Sequence, residues 1–305
     1  MRRHLRVCAT RRGTLVGAKR YPMAQIDPRY SPTSDSSNTK GAGGGSLRFR
    51  RSAEKTVIGE AFAASPLRLL TPRNHGEAAW VFLSNLGGGL VDGDRVDLRI
   101  EAEADTFAFI GTQAATKVYR SPRGCSQRLE VRAAEGAAIA IVPDPVVCFA
   151  GARYEQEIDV SLAPGASLVV LDGYTSGRAA RGERWQFAHF ESRTTIARGG
   201  VAAIIDATRL DPICGSIAQR MGRFDAVMWL VAIGRRFDAV REAMLEPLPI
   251  PSPGDAAVVA ASPVGVDSAV LRVAADSFER ASRALRPSFA ALARALGDDP
   301  FARKW

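Results

Sequence analysis

The chain is poor in the residues that build metal and redox centres. It has 305 residues but only three histidines (His4, His75, His189) and four scattered cysteines (Cys8, Cys125, Cys148, Cys214). No two histidines stand at helical ligand spacing, and no Cys-x-x-Cys occurs. That excludes a zinc ribbon, a thioredoxin motif and a His-rich metal site. The expectation is reduced, mostly buried thiols. Aromatics make up 7% of the chain and form no clustered platform, which weighs against a carbohydrate-binding β-sandwich. No apolar run reaches about 18 residues, so the sequence predicts no membrane-spanning helix. No basic stripe marks the body of the chain either. The net charge is +9, but residues 1–55 hold 13 Lys/Arg against 3 Asp/Glu, leaving 28 against 29 for the remainder. A nucleic-acid binder carries its basic face on the fold itself.

What is present falls into two parts. Residues 1–24 contain many arginines, and no acidic residue occurs before Asp27. That composition is shared by organellar transit peptides, disordered arms and upstream segments preceding a true start at Met23. Residues 27–46 are rich in Ser, Pro and Gly and end in Gly41-Ala-Gly-Gly-Gly-Ser46, the composition of a flexible linker. The reading is a basic, Ser/Gly-rich disordered tail over 1–46 and a folded domain over 47–305.

The domain reads as mainly β. Short runs rich in β-branched residues recur, with turn residues every ten or so positions. They include Leu47–Phe49, Thr56–Phe62, Phe107–Ile110, Gln127–Arg132, Ala138–Val142, Tyr154–Val160, Ser167–Leu171, Trp185–Phe190, Arg193–Ile196, Val201–Ile205 and Ala226–Ile233. No helical pattern separates them before about residue 211, so a βαβ sheet is not expected. The fold class predicted is a single β-sandwich-like domain with a few helices toward the C-terminus. Arg235 to Leu245 has helical spacing, and prolines 247, 249, 251 and 253 then break the chain. Val264 to Val273 suggests a strand pair. Asp276 or Ser277 caps a helix that Pro287 kinks or restarts. No fixed-period repeat is visible.

The most unusual stretch is Leu86-Gly-Gly-Gly-Leu-Val-Asp-Gly-Asp94, between two apolar runs. Asp92-Gly93 signals a hairpin turn. It is no phosphate loop, because Asp94-Arg95 stand where Lys-Ser/Thr is required. Three further stretches combine rigidity with polarity. They are Thr112 to Ser121, with Lys117, Tyr119 and Arg120; Pro143-Asp144-Pro145 through Phe149; and Gly177 to Trp185, with Arg178, Glu183 and Trp185. Each also reads as a structural turn or solvated loop. No Ser/His/Asp or Cys/His constellation assembles. An enzymatic alternative is a hydrolase or lyase using Asp94, Glu183 and His189.

In this order the stretches resemble the urease accessory protein D (UreD/UreH) family. The matching pieces are Ser65–Leu70, Gly87–Asp94, Thr112–Ser121, Pro143–Phe149, Gly177-Arg178 with Gly182-Glu183, and the basic end Phe301-Ala-Arg-Lys-Trp305. The Pro-Asp-Pro form resembles the eukaryotic branch. The resemblance implies a β-rich, non-enzymatic cytoplasmic maturation factor. Its partners would be a helical accessory protein (UreF-like), a GTPase (UreG-like) that binds the GTP, and apo-urease. No cofactor would be held stably, while Ni2+ would pass transiently through an internal tunnel. Oxygen donors suit such passage, because His and Cys sets hold late first-row metals tightly. Asp94, and then Asp92, Asp144 and Glu183, are expected along the path. Lys117, Tyr119, Arg120, Arg178 and Trp185 are expected either to fix the loops or to line a partner face.

Overall fold

The structure, a computed structural model, describes residues 42–302. The basic tail up to residue 41 and the terminal Arg303-Lys304-Trp305 lie outside the described residues.

Two large sheets and a helical layer build the domain. The central sheet runs in the order Ala257–Pro263, Ser268–Ala275, Ala226–Ile233, Ser167–Thr175, Ala138–Val142, Phe107–Thr112, Ala79–Asn85, Leu67–Leu70. The outer sheet runs Val201–Leu210, His189–Arg198, Arg153–Leu162, Cys125–Ala133, Arg95–Ala102, Ala42–Ser52, Lys55–Ala63. Between residues 79 and 198 the chain alternates sheets, and each strand pairs in parallel with its counterpart one circuit earlier. This is a β-coil whose turns are roughly thirty residues long. It is a mainly β fold, as expected. The parallel winding and the hidden period were not expected, because equivalent positions share character rather than identity. Val81, Ile110, Ile141 and Val170 form one such ladder. Leu98, Leu129 and Ile158 form another.

Burial explains the two kinds of strand. In Arg95–Ala102 every second residue is buried, because the outer sheet shows one face to solvent. Phe107–Thr112 and Ala138–Val142 are buried throughout. Their inner faces meet the outer sheet. Their outer faces, with Phe109 and Ala140, meet Val240 and Met244 of Asp238–Leu245 and Leu285, Phe289 and Leu292 of Phe278–Leu296. Ser277 caps the long helix, which continues through Pro287 as one element.

Four local readings are corrected. The first strand begins at Ala42, not Leu47, so the glycines assigned to a linker are paired: Gly43 with Val96 and Gly45 with Leu98. A Cβ at Gly43 would come within 2.7 Å of Pro66 Cδ, and one at Gly45 within 2.8 Å of Leu67 Cδ2. These glycines permit close packing rather than flexibility. The strand after Trp185 starts only at His189. The C-terminal strand pair is Ala257–Pro263 with Ser268–Ala275. Asp92-Gly93 joins two strands of different sheets, so it turns a corner of the coil and makes no hairpin.

Candidate functional site

The two rims of the coil differ in kind. At one rim the chain passes from outer to central sheet through four-residue turns closed by Thr106 N–H to Glu103 O, Ala137 N–H to Ala134 O and Ala166 N–H to Ala163 O. At the opposite rim the connections are long: residues 86–94, 113–124, 143–152 and 176–188. These hold the motifs singled out in the sequence, and the coil stacks them. Leu90 N–H donates to Lys117 O (2.8 Å), and Tyr119 N–H to Leu90 O (2.9 Å). Thr116–Val118 pairs with Val146–Cys148, which pairs with Tyr174 and Thr175. Fragments roughly thirty residues apart thus become neighbouring rungs.

Side chains lock the rungs. Arg178 makes a two-pronged pair with Glu183, and Glu183 also accepts from Ala150 N–H at 3.2 Å. The Arg178 guanidinium, followed by that backbone donor, lowers the Glu183 carboxyl below the usual carboxylate range. Arg178 covers the Phe149 ring at 4.1 Å, and Tyr119 meets Phe149 edge-on at 5.2 Å. Trp185 is buried and donates to Phe224 O at 3.1 Å. Asp92 is held by Arg123 through Nε at 2.8 Å and backbone N–H at 2.7 Å, which lowers its carboxyl too. Asp94 is buried and closes its own turn by accepting from Val91 N–H at 2.8 Å. Lys117 and Arg120 stand exposed.

The coil interior near this rim is polar. Val96, Gln127, Gln156 and Ser192 are register partners on the outer sheet. Facing them on the central sheet are Thr112 and Asp172, one pleat beyond Ile110 and Val170. Asp172 accepts from Ser192 Oγ (2.7 Å), Gln156 Nε2 (3.0 Å) and Gly173 N–H (2.8 Å). Tyr154 donates to Gln127 Oε1 at 2.8 Å. Full burial pushes the Asp172 carboxyl up, against the pull of these donors. Asp144 Oδ2 accepts from Thr112 Oγ1 at 2.7 Å. A cavity of about 50 Å³, room for a few waters, lies here between Thr112, Thr116, Asp144, Gln127, Gln156 and Asp172. Asp144 therefore lines the interior, whereas Asp92 and Glu183 are engaged by arginines on the loops.

Asp172 and its partners were missed in the sequence. The available signal was an acid inside the apolar run Leu168 to Tyr174, since a buried carboxylate needs partners or a task. Among the described residues no cluster of three or more His, Cys, Asp or Glu is arranged to hold a metal ion. His189 bonds Asp211 through Nδ1 at 3.1 Å, with Glu191 and Glu155 at 3.7 and 3.9 Å from Nε2. Asp94, Glu183 and His189 thus have separate partners and form no shared unit. Cys125 and Cys148 are buried free thiols, pushed up by desolvation, while Cys214 is exposed. No helix among the described residues is long and apolar enough to cross a membrane.

The fold and site define a mainly β coil that presents stacked, glycine-bounded loops at one rim. The UreD urease accessory protein model matches residues 41–305, and the chain belongs to that family. It is 53% identical to a urease accessory protein UreD of Sorangium cellulosum, over 87% of this chain and 85% of that one. It is 41% identical to the Anaeromyxobacter protein of the same name, over 86% and 89%. To urease accessory protein D of Oryza sativa it is 34% identical, over 66% and 68%. The two bacterial relatives are the more similar, so Pro143-Asp144-Pro145 does not assign the chain to the eukaryotic branch.

Proposed function

We propose that this chain is a non-catalytic cytoplasmic scaffold of urease maturation. It acts with a helical UreF-like protein and a UreG-like GTPase on apo-urease, and lets nickel pass through its interior. The accessory role follows from the family. The observation supporting the passage is the polar layer inside an otherwise apolar coil. Buried polar groups cost free energy unless they are satisfied, and here Thr112, Thr116, Gln127, Gln156, Asp144 and Asp172 form a polar wall of a small cavity otherwise lined largely by apolar side chains such as Leu98, Ile110, Leu129 and Ile141. Oxygen donors of this kind bind nickel weakly enough to release it. The ion would be cargo, GTP would stay on the partner, and no cofactor would be retained. Asp144 stands on the cavity wall. Asp94 is buried, lies off the cavity wall, and serves by fixing the glycine turn through Val91 N–H. Asp92 and Glu183 serve the path indirectly, through the loops they fix.

The test is co-expression of Asp144→Ala with urease and its accessory proteins, measuring both complex formation and urease nickel content. The expected result is an intact complex with several-fold less nickel. Normal loading by Asp144→Ala and by Gln156→Leu, both folded and in complex, would remove the interior from the route.

A further inference from the structure

The long-loop rim carries two populations of cations. Arg123, Arg178 and Arg184 are paired with Asp92, Glu183 and Asp225. Lys117, Arg120 and Arg153 are exposed on the same rungs, and no carboxylate lies within ion-pair reach of them among the described residues. Ser121 Oγ, next to Arg120, bridges the backbone N–H and carbonyl of Arg153 at 2.9 and 3.1 Å, and Lys117 precedes Val118, which bridges to Leu90. Val91, 53% exposed, projects from the same corner.

Glycines give these side chains their seats. At Gly151, with φ of +72°, a Cβ would lie 3.2 Å from Arg120 Cγ. At Gly89 it would lie 3.0 Å from Lys117 Cβ and 2.9 Å from the Tyr119 ring. A side chain at either position would displace the stem it now supports. The stem of Arg120 is therefore packed, and its head is presented with part of its freedom already removed, which lowers the entropic cost of contact.

We propose that this rim is the docking face for an acidic surface of a partner protein, with Lys117, Arg120 and Arg153 as the contacting cations and Val91 as an apolar contact beside them. A nucleic acid or an anionic membrane would be met by a broad basic face. Here three cations stand on a domain of nearly balanced charge, beside an exposed valine, which suits a protein. The proposal deepens the scaffold reading above and is independent of nickel passage.

The test uses the full chain co-expressed with apo-urease and the accessory proteins, with affinity measured across a salt series. The triple reversal Lys117→Glu, Arg120→Glu, Arg153→Glu should weaken capture roughly tenfold or more and flatten its salt dependence. The conservative set Lys117→Arg, Arg120→Lys, Arg153→Lys should retain capture. Melting should change little in both, because none of the three makes an ion pair among the described residues, although the Arg120 stem is packed. Unchanged affinity and salt slope in the folded reversal variant overturn the docking face while leaving the scaffold reading standing. An unmodified chain that captures none of these proteins overturns the scaffold reading and this face with it. Binding to duplex DNA or phosphatidylserine vesicles that the reversal abolishes, with protein capture unaffected, also overturns the proposal.

Discussion

The guanidinium of Arg178 lies over the ring of Phe149 while its nitrogens hold Glu183, so one side chain ties two rungs of the rim together. Arg178→Ala should free the 176–188 loop. The measurement is limited proteolysis: cleavage near Arg181 should accelerate several-fold, with global melting changed less. Arg178→Lys should rescue poorly, because an ammonium cannot both fork to the carboxylate and lie flat on the ring.

Asp172 sets a pH dependence of stability. Its folded pKa is raised above the unfolded value of about 3.8. The fold therefore favours the neutral carboxyl, and that contribution is complete below the unfolded pKa and lost as pH rises through the folded one. Melting of Asp172→Asn relative to the unmodified chain should shift in favour of the variant as pH rises above about 4. A difference independent of pH would contradict it.

The central ladder should behave as a core. Ile141, 2% exposed, sits between Ile110 and Val170 in the central sheet. Ile141→Ala should cost roughly 2–5 kcal/mol in denaturant unfolding, from lost transfer free energy and the cavity left behind.

The first strand offers a paired test. Gly43→Ala should cost about 1–3 kcal/mol, because its Cβ meets the Pro66 ring. Gly44→Ala, with nothing within 4 Å, should stay within about 0.5 kcal/mol. Equal small effects at both positions would restore the linker interpretation of these glycines.

These tests follow the line between what sequence patterns reveal and what they hide. Alternation in Arg95–Ala102 and the continuous apolar run of Ala138–Val142 could be read directly, because each reflects burial of one face or of two. The pairing partners were not readable. A strand buried on both faces looks alike in a parallel coil and in an antiparallel sandwich, and positions such as Ala108 and Ile139 match in burial without matching in identity. The four rim loops were visible as glycine-bounded polar stretches, but their stacking is a property of the winding. Asp172 was hidden because its partners Gln156 and Ser192 come from the preceding and following strands of the facing sheet, which only the winding brings opposite it.

The unequal rims have a consequence for descent. Strand register passes from circuit to circuit through turns of constant length at one end. A loop at the other end can therefore gain or lose residues without moving any neighbour's alignment. Insertions and deletions among relatives should accumulate there, letting the recognition surface diverge while the coil beneath it is inherited intact.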